Sequence, residues 1–164
     1  IAHFGKRQDF KLEDFLWIIR KYAELNKPKM INEQTFSPVM DGLTLEERRQ
    51  YAQEVMNIQN PGLGEVKFID NKVVLNWSQL KSADGLYKTG ITELDLSHSP
   101  ITGDFIFVKG LPLVKLVLPK KSRDKYFAYI SKCKTLKELH LPSEYFDMKD
   151  VRELPKRIKV FFYK

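Results

Sequence analysis

Apolar residues recur at a nearly constant interval through the second half of this 164-residue sequence. The pattern Ile91-x-x-Leu94-x-Leu96 returns as Leu113-x-x-Leu116-x-Leu118 and again as Leu136-x-x-Leu139-x-Leu141, with starts separated by 22 and 23 residues. A weaker copy, Ile158-x-x-Phe161-x-Tyr163, starts 22 residues later, and Val73-x-Leu75 fits one interval earlier. Because one such unit cannot bury its own apolar residues, the repetition predicts units that stack and share a continuous core.

The repeated unit resembles the leucine-rich repeat family, and the resemblance covers about residues 70–164. Leu118-Pro119 and Leu141-Pro142, with Cys133 ahead of one strand, are similar to bacterial surface-antigen repeats, whereas Gly110-Leu111-Pro112-Leu113 looks more like bacterial repeats of planctomycete type. The resemblance implies an α/β fold, a leucine-rich repeat solenoid with a short parallel sheet. It also implies a non-catalytic interaction module that binds a protein partner and acts as a scaffold in a larger assembly.

The first sixty residues have helical rather than repeat periodicity. One helical face is apolar at Leu12, Phe15, Leu16, Ile19, Tyr22 and Ala23, and this helix is expected to fade before Pro28. Thr44 with Glu47 three residues later predicts the start of a second helix, because this pair forms a capping box. Trp17 lies off the main stripe and is expected either to cover the repeat region or to form a partner-binding face.

The segment Asn60-Pro61-Gly62-Leu63-Gly64 predicts the end of the second helix and a hinge. Just after it, Asp70-Asn71 lies between two apolar runs and predicts a tight β-hairpin. We therefore divide the chain into a helical N-terminal region (1–60) and a repeat region (61–164) of about five short repeats, the first one atypical. The helical pair and the hairpin are the expected N-terminal cap of the stack.

Residues that alternate with the buried leucines are expected on the open face of the sheet. The predicted partner-binding residues are Glu93, Asp95, Lys115, Val117, Glu138, His140 and Phe162, with Val160 in the same row as Glu138. Two interpretations stay open for this face. It is either a solvated surface whose charges pair with one another, or a contact surface for a protein partner. Return segments with apolar residues at helical spacing, Phe127 with Ile130 and Met148 with Val151 and Leu154, are expected to cover the other side.

The residue constellations that enzymes need are missing from the sequence. Gly62-Leu63-Gly64 is without the later glycine and the lysine of a phosphate-binding loop. His3, His98 and His140 have no neighbour at metal-ligand spacing, so a zinc site is not expected. Cys133 is the single cysteine, which excludes a disulfide framework, and it is expected to be a small buried residue. We therefore expect no enzyme activity, no metal and no cofactor.

The net charge of +7 comes from the part of the chain beyond residue 60. From residue 113 onward, 14 basic residues oppose 6 acidic ones. A basic patch is predicted at Lys120, Lys121, Arg123 and Lys125, and the alternative function is therefore binding of nucleic acid or an anionic membrane surface. The moderate charge density and the missing nucleic-acid motifs make nucleic acid the weaker expectation.

Two further features concern partners and location. No apolar run approaches the ~20 residues of a membrane-spanning helix. Residues 160–164 predict an edge strand, which either ends the array or pairs with another copy of the chain to form an oligomer. The sequence begins with Ile1, so the N-terminus is expected to be processed or truncated, and the compartment stays open.

Overall fold

The chain has an α/β fold in which the strands of the sheet follow the order of the sequence. A computed structural model describes residues 11–25, 39–101, 105–120 and 126–164, and within these residues the sheet has six strands in the order β1-β2-β3-β4-β5-β6. The strands are β1 (Phe68–Ile69), β2 (Lys72–Val74), β3 (Glu93–Asp95), β4 (Lys115–Val117), β5 (Glu138–Pro142) and β6 (Lys159–Tyr163). The helices are α1 (Leu12–Glu24), α2 (Leu45–Gln59), α3 (Tyr126–Ser131) and α4 (Met148–Val151), with 3₁₀ turns at Asp84–Leu86 and Ile106–Gly110.

The strand register places the repeated leucines side by side. Leu94 pairs with Leu116, and Leu116 pairs with Leu139, on adjoining parallel strands. This confirms the phase that the 22- and 23-residue spacing predicts for these three units. β1 and β2 form the predicted antiparallel hairpin, and Asp70 in its turn has a φ of 55°. An aspartate tolerates this left-handed conformation better than most residues, which explains why the turn forms there.

The apolar residues of successive units form one continuous core behind the sheet. The repeated leucines are buried there, together with Phe105, Phe107 and Ile130 from the return segments. Neighbouring units are also joined by polar contacts, since the Thr135 hydroxyl donates a hydrogen bond of 2.7 Å to the Leu113 carbonyl. Neighbouring units therefore share one apolar core and are also joined by a hydrogen bond.

The return segments follow the predicted helical spacing in part. Ile130 and Leu154 are buried, and Val151 packs against the core. Met148 does not, since its side chain is 65% exposed. It is the first residue of the single-turn helix α4, at the surface directly after the capping residue Asp147. Its predicted role as a core residue was wrong.

The two long helices form a second core at the β1 end of the sheet. α2 begins at the predicted capping box, in which the Thr44 hydroxyl accepts a hydrogen bond from the Glu47 amide and the Glu47 carboxylate accepts one from the Thr44 amide. Leu16 and Ile19 of α1 pack against α2, whereas Ala23, although it lies on the predicted stripe, is exposed. None of the described helices is long and apolar enough to cross a membrane.

The junction between the helices and the sheet is held by one buried side chain. Asn60 is 1% exposed and follows α2 directly. Its side-chain amide donates to the carbonyls of Met56 and Ser82 at 3.0 and 2.7 Å. Its side-chain oxygen accepts from the amides of Lys81 and Ser82 at 2.7 and 3.1 Å. The segment that the sequence predicts to be a hinge is therefore fixed to the first stacked unit.

Candidate interaction surface

The open face of the sheet carries two rows of side chains that run across the strands. Register and alternation place on it a charged row of Lys72, Glu93, Lys115, Glu138 and Lys159, and a mixed row of Val74, Asp95, Val117, His140 and Phe161. Six of the seven residues that the sequence predicts for this face are therefore brought together on it. The register also adds Lys72, Val74, Lys159 and Phe161, which extend each row to both neighbouring strands.

The seventh predicted residue, Phe162, does not belong to these rows. Val160 pairs with Leu139 and packs against the core, and Phe162 pairs with Leu141 on the same side. The offset between β5 and β6 is thus 21 residues, not 22. Because side chains alternate along a strand, a shift of one residue moves each of them to the opposite face. The predicted positions of Phe162 and Val160 on the open face were wrong, and Phe161 takes the place next to His140.

The charged row alternates in sign from one strand to the next. Adjacent parallel strands are about 4.8 Å apart, so each lysine has an acidic neighbour. Nevertheless, no ion pair within 4 Å joins two members of this row in the described part of the chain. The Glu138 carboxylate instead lies beside a residue outside the row, with its Oε2 3.5 Å from Nε2 of His140. The expected pairing of these charges with one another is therefore not formed, and they are available to a partner.

The mixed row is apolar at its centre and at both ends. Val74 and Phe161 remain 49% and 43% exposed, and Val117 lies between them. The His140 ring stacks on Phe161 with centroids 4.8 Å apart and an angle of 18° between the planes. Asp95 accepts a hydrogen bond of 2.9 Å from the Ser97 amide, which fixes its carboxylate near the end of β3. Apolar and charged groups thus lie in adjacent rows, about 6.6 Å apart along the strands.

Tyr163 borders the open face at the ends of the strands, where sequence reasoning had not placed it. Its hydroxyl donates a hydrogen bond to the carbonyl of Leu118, across the intervening strand β5. Burial raises the pKa of Tyr163 to about 12, and the charge of Asp95 adds to the rise. The phenol therefore stays protonated as a donor. The sequence signal was misleading because Tyr163 occupies a leucine position in the repeat pattern, and only the shifted register moves it to this face.

The other predicted residues have separate outcomes. Lys120 is exposed at the surface, whereas the remaining members of the basic patch, Lys121, Arg123 and Lys125, lie outside the described residues. Cys133 is buried, with its sulfur 3.8 Å from the Leu111 carbonyl, as expected of a small core residue. In the described ranges, no three histidine, cysteine or acidic residues are grouped so that they would hold a metal ion.

A groove lies between α2 and β1. This groove has a volume of about 720 Å³ and is lined by residues such as Arg49, Gln53 and Phe68. Polar side chains in and beside this groove already bind the chain's own backbone. Gln53 and Asn57 both donate to the Gly64 carbonyl at 2.8 Å, and they accept from the Val66 and Gly64 amides respectively. The open face, in contrast, presents a charged row without internal ion pairs beside exposed apolar groups, so we regard it as the better candidate.

Comparisons with known proteins do not identify a relative of this chain. No protein-family model, curated protein or solved structure matches this chain. The functional interpretation therefore depends on the residues of the open face.

Proposed function

We propose that this chain is a non-catalytic leucine-rich repeat module that binds a protein partner through the open face of its sheet. The repeat assignment is supported by the 22- and 23-residue intervals together with the pairing of Leu94, Leu116 and Leu139. Stacked repeats commonly use an extended sheet surface for binding. A module of this kind would act as one part of a larger protein assembly.

One observation carries the proposed function: the charged row has no internal ion pairs and runs beside exposed apolar side chains. Val74 and Phe161 at the two ends of the mixed row keep much of their surface in water. Protein interfaces combine apolar with polar and charged groups, and these two rows place both kinds of side chain next to each other. Removal of this apolar surface from water would contribute to association.

The charge balance of the face favours a protein over a polyanion. The rows contain three lysines, Lys72, Lys115 and Lys159, which are opposed by the carboxylates of Glu93, Glu138 and Asp95. A nucleic acid or an anionic membrane attracts surfaces with one dominant sign of charge. A face with near-zero formal charge and alternating signs instead selects a partner with a matching pattern of both signs.

Site-specific photocrosslinking in the full chain tests the proposal. We expect a crosslinker at Val74 or Val117 to form an adduct with one defined protein. The same probe at Met148, which is more accessible than Val74 and Val117 but lies away from the open face, is the control. The adduct should disappear with Asp95→Lys and with Phe161→Ala. Equal labelling at Met148, or adducts that neither substitution changes, would refute a binding role for the open face.

The basic flank remains the second candidate, because basic residues exceed acidic ones by 14 to 6 beyond residue 113. Its test is retention on heparin. Binding to a polyanion should fall steeply with salt and with reversal of Lys120, Lys121 and Arg123. Retention that depends on these three residues would favour the polyanion, whereas retention that they do not affect would exclude this flank.

A further inference from the structure

The charged row forms a ladder with one charge on each of five neighbouring strands. In order across the sheet, the ladder is Lys72, Glu93, Lys115, Glu138 and Lys159. Strands lie about 4.8 Å apart, so the ladder spans about 19 Å. A partner that pairs with every rung must repeat its own charges at this interval and must change their sign at each step.

An α-helix laid across the strands meets this interval. Positions i, i+3, i+7, i+10 and i+14 lie on one helical face and are on average about 5.2 Å apart along the axis. The mismatch with the sheet accumulates to less than about 2 Å over the four gaps, which flexible lysine and glutamate side chains can absorb. An extended chain laid in the same direction presents side chains on one side only every ~6.8 Å. Over the four gaps of the ladder it therefore falls out of step by about 8 Å.

The mixed row sets the second requirement on such a helix. Its apolar members, Val74, Val117 and Phe161, lie about 6.6 Å from the ladder along the strands. One helical face is wide enough to cover both rows, because the apolar stripe of an amphipathic helix lies next to its charged flank. Asp95 interrupts the apolar members and would need one basic or hydrogen-bonding side chain opposite it.

We infer that the partner contributes an amphipathic α-helix that crosses the strands of the open face. Its flank carries acidic residues opposite Lys72, Lys115 and Lys159, and basic residues opposite Glu93 and Glu138. This inference rests on the proposed function and narrows it to one chemical class of partner. The ladder supplies specificity through charge complementarity, while the neighbouring apolar stripe supplies the buried surface.

The test uses the full chain and two designed helical peptides with the same apolar stripe. One peptide carries acid-base-acid-base-acid at i, i+3, i+7, i+10 and i+14, and the second carries the same five charges in the order acid-acid-acid-base-base, so the two peptides have the same net charge. We expect the first peptide to bind at least about 10-fold more tightly, as measured by fluorescence anisotropy, because it meets an opposite charge at every rung, whereas the second does so at no more than three rungs in any register. Circular dichroism should show a gain of helix in the mixture.

An exchange of charges within the protein supplies the control. The double variant Glu93→Lys/Lys115→Glu keeps the net charge and should lose affinity for the first peptide. A peptide with the two corresponding signs exchanged should recover it. Equal affinity of both peptides, binding too weak to measure at about 1 mM peptide, or failure of the exchange to restore affinity would overturn the inference.

Two other outcomes separate this inference from the proposed function. The ladder is complementary to a second copy of itself that is displaced by one strand. If sedimentation shows a dimer, and the double variant disrupts that dimer, the partner of the open face is a second copy of the chain and not a helix. A protein adduct at Val74 that the double variant leaves unchanged would overturn the helical ladder alone. If no adduct forms at Val74 or Val117, the open face itself is not the binding site.

Discussion

Replacement of Asn60 by alanine should strongly destabilise the protein, although the residue lies outside both the open face and the repeat pattern. Its side chain makes four hydrogen bonds, two to the backbone amides of Lys81 and Ser82 and two to backbone carbonyls. In Asn60→Ala the Met56 carbonyl still accepts the backbone amide of residue 60 at 2.8 Å. Three groups lose their partner: two amides and the Ser82 carbonyl.

The size of the effect follows from these three groups. An unsatisfied buried polar group costs about 1–3 kcal/mol, and the lower value applies here because the segment around Ser82 is only partly buried. We therefore expect Asn60→Ala to reduce the free energy of unfolding by about 3 kcal/mol. This is a large part of the 5–15 kcal/mol that a domain of ordinary stability has.

Urea denaturation followed by circular dichroism measures this loss. The matched control is Asn76→Ala, the same chemical change at an exposed position, which should alter stability by less than about 0.5 kcal/mol. The midpoint of Asn60→Ala should fall while the slope of the transition stays the same. A loss below about 1 kcal/mol, or one equal to that of Asn76→Ala, would show that the four hydrogen bonds do not hold the junction.

Three more predictions follow from single contacts. A Cβ at Gly110 would lie 2.0 Å from the Tyr87 ring, so Gly110→Ala should reduce the free energy of unfolding by about 2 kcal/mol, as measured by urea denaturation. If the losses of Gly110→Ala and Tyr87→Ala simply add in the double variant, the two residues do not clash. Burial and Asp95 raise the pKa of Tyr163 from 10.0 to about 12, so stability from the neutral phenol should be lost as the pH rises from 10 towards 12. The Tyr163→Phe variant has no phenol to ionise, so it should not show this loss of stability when unfolding is measured as a function of pH. Thr44→Ala should destabilise the protein by about 1 kcal/mol, because the Glu47 amide loses its cap.

The central strands were predictable because their apolar and polar residues alternate. In β3, for example, Leu94 lies between Glu93 and Asp95, so only one phase buries the leucine. The last strand is different, since four consecutive residues from Val160 to Tyr163 are apolar or aromatic. Such a run is compatible with either face of a sheet and carries no alternation signal. The shift of one residue that moved Phe162 off the open face therefore had no signature in the sequence.

Contacts between distant polar groups were also beyond the reach of sequence patterns. Asn60 was expected only to end a helix and to begin a hinge, because its partners Lys81 and Ser82 lie more than 20 residues away in a segment without periodicity. Similarly, the helical stripe of α1 correctly indicates that Leu16 and Ile19 are buried. It does not indicate which residues outside the stripe are buried. Trp17, one of two tryptophans, is 61% exposed and does not cover the repeats.

The side-chain amides of Gln53 and Asn57 affect how easily another polypeptide chain can pair with the β1 side of the sheet. They occupy the backbone groups of Gly64 and Val66 along the approach to β1. A foreign strand that tried to add itself at this margin would first have to displace both amides from the backbone. Natural sheet proteins resist fibril growth by covering their outer strands in comparable ways. Through these two side chains, helix α2 makes the addition of a foreign strand at this side of the sheet less favourable.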